Sequence, residues 1–201
     1  MKKILYTALL TMLAIVLGAC TGNQTNTISV ADLTDREEDI LSLTTSDAFL
    51  FDFIIDDTYQ EVSFWIEKYE SGKLVGKKIN DATAPVYGNG SLMFARTQNP
   101  DNENQFTFMT GIKTEGDDES DHSSFSSLVT EQRDLEKASI TTGKISETLP
   151  IKDEMVLASI CYTLDEEGAT SLSSDFYEDP RSNMEELKDF DVVYLLKGEF
   201  K

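Results

Sequence analysis

Three hydrophobicity patterns follow one another along the chain. Ile4 to Val16 form an apolar run behind Lys2 and Lys3, Thr21 to Ser46 are mostly Thr, Asn, Gln, Ser and charge, and beyond Ser46 the apolar positions recur every second residue. Phe49, Phe51, Phe53 and Ile55 alternate with Leu50, Asp52, Ile54 and Asp56, the period of a strand with one face on a core. EVSFWIEKYE continues the pattern, with Val62, Phe64 and Ile66 on one side and Trp65 and Tyr69 on the other. Ser71-Gly72 supplies a turn and KLVGKKI a returning strand, so residues 59–79 are expected to form a β-hairpin. Pro85, Asn89-Gly90 and Asn99-Pro100-Asp101 punctuate before SLMFART and QFTFMTGIK, which read as further strands.

EGDDESDHSSFSS is too polar for a core and is expected as a long loop. LEKASIT, the run from Met155 to Leu164 and DVVYLLKGEF then read as strands; the second is apolar on both faces, which predicts a central position in its sheet. Helical signals are few. Thr34-Asp35-Arg36-Glu37 has the spacing of a capping box for one short turn, and Ser182 with Glu185 repeats it before Met184, Leu187 and Phe190. Strands at this spacing without helices between them predict antiparallel pairing rather than βαβ units. No repeat of 20–50 residues is present, which excludes solenoids and propellers. The expected fold is all-β, an antiparallel two-layer β-sandwich with one short helix near the C-terminus; an Ig-like form and an open β-barrel are the variants.

The leader ends Leu17-Gly18-Ala19-Cys20, small residues of the kind found beside a signal-peptidase cut. Ile4 to Cys20 is at the short end of the range for crossing ~30 Å of hydrocarbon, and no basic stop-transfer cluster follows it. The stretch resembles the lipobox of bacterial lipoproteins. The resemblance implies that the Cys20 sulfur takes a diacylglycerol group and that cleavage leaves Cys20 as the new N-terminus. Acyl chains worth ~0.8 kcal/mol per buried CH₂ would then hold the chain on the extracytoplasmic face of a bacterial membrane. The C-terminal DFYEDPRSNMEELKDFDVVYLLKGEF is similar to the tail of small lipoproteins of Gram-positive bacteria, and that likeness implies no catalytic residue. The organisation expected on this basis is a signal peptide over 1–19, a lipidated polar tether over 20–46 and a sandwich domain over 47–201. Such a tether of about 25 residues would reach ~80 Å extended and roughly 25–30 Å as a coil.

Charge narrows the partners. Loss of Lys2 and Lys3 with the leader takes the 17 basic residues to 15 against 37 acids, a formal charge of −22. Nucleic acid needs clustered Lys and Arg and is excluded as a partner; a cationic peptide or a basic protein would be attracted. With Cys20 lipidated, Cys161 is the remaining cysteine, and in MVLASICYTL it reads as a small buried hydrophobe rather than a nucleophile.

The sequence offers little catalytic machinery. His122 is the one histidine, its neighbours Asp117, Asp118, Glu119, Asp121, Ser123 and Ser124 are adjacent rather than convergent, and no G-x-S-x-G is present. Zinc lacks ligands. Calcium suits the acids of 115–121 in kind but not in spacing, since D-x-[DN]-x-[DN]-G is missing, and a solvated loop is the expected reading. Gly88-Asn89-Gly90 is a turn rather than a phosphate cradle. Phe64, Trp65, Tyr69 and Tyr59 would make an aromatic platform only on an open face, and core is the commoner use. Neither a cofactor nor a metal is expected. The function expected from the sequence is that of a membrane-anchored lipoprotein acting as a binding module for a protein or cationic peptide, not an enzyme. A carboxylate-dependent hydrolase of wall or extracellular polymer and a passive spacer are the alternatives.

Overall fold

The computed structural model describes residues 26–115, 122–131, 135, 137–164 and 170–201. The strands are β1 (Thr27–Val30), β2 (Asp47–Ile54), β3 (Glu61–Glu70), β4 (Lys73–Pro85), β5 (Asn89–Asn99), β6 (Asn102–Thr114), β7 (His122–Glu131), β8 (Ser139–Lys144), β9 (Leu149–Pro150), β10 (Glu154–Thr163) and β11 (Val192–Phe200). They form a six-stranded sheet in the order β7-β6-β5-β2-β1-β9 and a five-stranded sheet in the order β4-β3-β11-β10-β8. Every pairing is antiparallel, and neither sheet closes into a barrel. The fold is the expected two-layer β-sandwich.

The core fills the space between the sheets, because each strand sends alternate side chains inward. Phe51, Phe53, Phe94 and Phe108 from the six-stranded sheet meet Phe64, Ile66, Tyr194 and Leu196 from the other, all fully buried. Ring contacts join the layers: Phe108 and Tyr194 lie 4.9 Å apart between centroids, and Phe53 meets Phe200 edge-on at 5.2 Å. Gly90 lets this happen, since a Cβ there would sit 2.3 Å from the Phe53 ring.

β4 ties the layers together along one side. Its register against β3 slips between Phe64 and Ile66 and again between Ile66 and Lys68, and Lys78 and Asn80 within the slipped stretch adopt positive φ. The bulges turn Asn80 toward the other sheet. Its side-chain amide donates to the Phe108 carbonyl (3.2 Å) and accepts from the Ser126 hydroxyl (2.9 Å), while its backbone carbonyl accepts from Thr110 (3.2 Å). One asparagine thus holds β4 to β6 and β7.

Four expectations change. First, residues 27–44, expected within a tether, are part of the fold. β1 pairs with β2 through Thr27↔Ile54 to Val30↔Phe51, and Ile28 is fully buried, so the boundary moves from 47 to the start of β1. Second, the Thr34 capping box is real but starts a ten-residue helix, α1 (Asp35–Thr44), rather than a single turn. Third, His122 to Ser127, expected as loop, run within β7: an edge strand with one side in water accepts the serines that its sequence alternates. Fourth, the C-terminal helical region has two short helices. Ser182 spends its hydroxyl on Asp179 (2.6 Å), so it caps nothing. Ser173 instead caps α2 (Ser174–Glu178), and a 3₁₀ turn follows at Met184–Asp189 without a side-chain cap.

That helical region covers the outer face of the five-stranded sheet. Leu172, Phe176, Tyr177, Leu187 and Phe190 are buried, and Tyr177 reaches the Ser159 hydroxyl on β10 at 2.8 Å. Gly143 on β8 makes room, since a Cβ there would lie 2.2 Å from the Tyr177 oxygen. β10 is therefore buried on both sides and sits inside its sheet, as its unbroken apolar run predicts.

Candidate functional site

An acidic cleft lies at the pole of the sandwich where the described chain starts. The β2–β3 connection and the β4–β5 connection meet there, held by the Ile55 amide on the Gly88 carbonyl (2.9 Å) and the Val86 amide on the Gln60 carbonyl (3.0 Å). Gly88 takes a φ of 87°, a conformation that a glycine adopts freely, and so reverses the chain between β4 and β5. The result is a cleft of about 410 Å³ lined by Asp56, Asp57, Tyr59, Gln60, Val86, Tyr87 and Gly88.

Asp56 is the best-anchored group in it. Its carboxylate accepts from the Thr58 amide (2.9 Å) and from the Asn26 side-chain amide (2.9 Å), and its own amide donates to Asn26 Oδ1 (3.0 Å). The Thr58 hydroxyl and amide, with Asn26, hold this carboxyl below its ordinary range, so it carries a fixed negative charge at neutral pH. Tyr59 packs edge-on against Phe200 at 5.9 Å, and Tyr87 leaves half its surface to solvent. Carboxylates beside phenol rings attract ammonium and guanidinium groups by charge and by the ring faces. Two carboxylates and two phenols here offer that combination.

Among the described residues, the buried charged groups Glu67 and Arg96 and the buried thiol of Cys161 are committed to structure. Glu67 is buried, accepts from Tyr69 (2.8 Å) and pairs with Lys197 (3.1 Å), which also pairs with Glu154 (2.6 Å). At the opposite pole Arg96 is buried between the sheets, paired with Asp47 (2.6 Å) and bonded to the Tyr162 hydroxyl. Cys161 is fully buried, and burial pushes its thiol up to about 11, although the Ser159 hydroxyl beside it works the other way. It is a packing residue.

The remaining sequence candidates separate cleanly. Phe64, Trp65 and Tyr69 are buried and form no open platform; Tyr59 alone of that group reaches the cleft. Cys20, the acids at 116–121 and the side chain of His122 lie outside the described residues. Among the described residues no three ligating side chains converge on a metal position, and no helix is long and apolar enough to cross a membrane. For the carboxylate-pair chemistry the direction of titration matters. Glu37, Asp56, Asp179 and Glu199 are all lowered by hydrogen bonds, which suits permanent charge rather than proton donation. Sequence reasoning missed the cleft because Asp56 and Tyr87 are 31 positions apart and meet only through strand pairing; Asp56-Asp57-Thr58 beside Tyr59 was its one local trace.

The fold and the cleft describe an all-β sandwich domain with an acidic, aromatic-edged pole. Residues 27–200 match the YgaN domain family, and the chain belongs to that family. The match starts with β1 and ends with β11, the same limits that the sheets define. No curated protein and no solved structure matches the chain.

Proposed function

We propose that the protein is a lipid-anchored, extracytoplasmic binding module, attached through Cys20 and acting on cationic peptides or a basic protein partner. The observation that carries the reading is the junction: the apolar leader ends on Cys20, and the chain is already paired in the sandwich at Thr27. An anchored domain needs no more than such a short link. The formal charge of −22 and the fixed carboxylate of Asp56 in a tyrosine-edged cleft favour cationic ligands over nucleic acid or anionic polymer.

Titration of a Lys- and Arg-rich peptide into the full-length lipidated protein in neutral detergent tests the binding half. Binding should weaken with salt, since exposed charges are screened beyond ~10 Å at 0.1 M. Replacing Asp56 and Asp57 together with Asn should weaken it about tenfold. Equal affinity in the double variant would remove the cleft from the reading, and no binding at low salt would remove cationic peptides.

A further inference from the structure

The two outer faces of the sandwich differ in cover. The outer side of the five-stranded sheet lies under α2 and the 3₁₀ turn and carries the Glu67–Lys197–Glu154 ion pairs. Nothing among the described residues covers the outer side of β5, β6 and β7. Because Phe49, Phe51 and Phe53 point into the core, Leu50 and Ile54 point out, and register carries one row across the sheet: Leu50↔Met93, Met93↔Gly111, Gly111↔Phe125. A second row runs Ala48↔Ala95, Ala95↔Met109, with Ala95 itself buried among its neighbours, and a third ends on Val129. Phe125 is 61% exposed, Val129 57% and Ile54 45%. Among the described side chains, the charged outward positions of β2, β5, β6 and β7 are Asp52 and Lys113, both toward the ends of the strands. In a chain with 37 acids, a broad apolar face this poor in charge marks an interaction surface.

We propose that this face rests on the lipid surface of the bilayer to which Cys20 tethers the chain; the proposal builds on the anchored reading above. Tether geometry selects the occupant. Six residue steps separate Cys20 from Asn26, so the start of the fold is held within about 22 Å of the lipidated sulfur. Asn26 leads into β1, which belongs to the six-stranded sheet, so laying that sheet on the bilayer puts the attachment point beside the headgroups. Turning the other side down would interpose the second sheet at ~10 Å and a helical layer of ~10 Å, leaving the tether nearly straight. Charge selects the same side. An anionic membrane repels the acidic body of the protein, and the face where Asp52 and Lys113 are the charged groups among the described side chains meets it with the least repulsion. Phe125 and the methionines reach the interface, while the cleft at Asp56 stays at the same pole as the tether, close to where a cationic peptide meets lipid.

Tryptophan placement tests it, because the one native tryptophan, Trp65, is buried in the other sheet and supplies a constant background. Full-length lipidated protein carrying Phe125→Trp, or Val129→Trp as a second position, is reconstituted into phosphatidylcholine–phosphatidylglycerol vesicles whose phosphatidylcholine chains are brominated. Leu74→Trp, on the exposed edge of the five-stranded sheet, is the control. The proposal requires strong quenching of the added emission in F125W and V129W and little in L74W. Vesicle-bound protein with all three equally unquenched overturns the resting face and leaves the anchor intact. A dimer in lipid-free detergent, with F125W shielded from aqueous iodide there, gives the face to a second copy and also overturns it. Protein that fails to float with the vesicles loses the anchored reading, and the proposal falls with it.

Discussion

The inner strands of the two sheets show how one fold handles two kinds of face. β10 is buried at eight consecutive positions from Met155 to Tyr162, because the core lies on one side and α2 with the 3₁₀ turn on the other. β2, equally interior in its own sheet, buries Phe49, Phe51 and Phe53 and leaves Asp52 and Ile54 exposed. The same antiparallel geometry thus supports a doubly buried strand or a one-sided one, and the segment between β10 and β11 decides which. Cover is local and costs chain. Residues 170–191 are spent on one sheet, and the other is left with methionine, valine and phenylalanine at its surface.

Phe176→Ala breaks the comparison hardest. Phe176 is fully buried in the cover, so truncation should cost about 3–5 kcal/mol, read as a drop in the urea midpoint. A cost below ~1 kcal/mol would show that the helical layer is not part of the core. Gly143→Ala comes next: the new Cβ meets the Tyr177 hydroxyl, and overpacking of this kind costs ~1–3 kcal/mol. Tyr177→Phe should recover part of that loss in the Gly143→Ala background. If it recovers none, the strain has another source.

The open face should respond very differently. Phe125→Ser should change stability by less than ~0.5 kcal/mol, as surface substitutions do, and a loss comparable to that of Phe176→Ala would mean that something covers this side as well. The smallest effect belongs to the pole. The Asp56 carboxyl is lowered in the folded state, so its contribution is present above the unfolded value of ~4 and disappears as pH falls through the folded one. The stability gap between wild type and Asp56→Asn should therefore be present at neutral pH and close under acid. A gap that widens on acidification would reverse the assignment.

What could be read from the chain depended on how local its cause was. The Phe49-Phe51-Phe53 alternation, the β3–β4 hairpin and the doubly apolar β10 announce themselves, since burial writes its period directly into neighbouring residues. β1 does not: four residues, Thr27 to Val30, are too few to show a period, and they are held by β2 and β9. β7 hid because serine suits a loop as well as the wet side of an edge strand. The second capping box failed for a chemical reason, Asp179 having taken the Ser182 hydroxyl that the spacing reserved for a helix. The cleft was the least legible feature, because its aromatic and acidic groups arrive from different strands.

The shortened tether changes the functional picture more than any other correction. If Cys20 carries the proposed lipid, a sandwich beginning at Asn26 stays within about 22 Å of its anchor and works at that surface. The account rests on that tie, and intact-mass analysis of protein purified from its own host measures it directly. The mature chain should begin at Cys20 and exceed the mass of residues 20–201 by its acyl modification. A chain that still begins at Met1, or one beginning at Cys20 without added mass, contradicts the account.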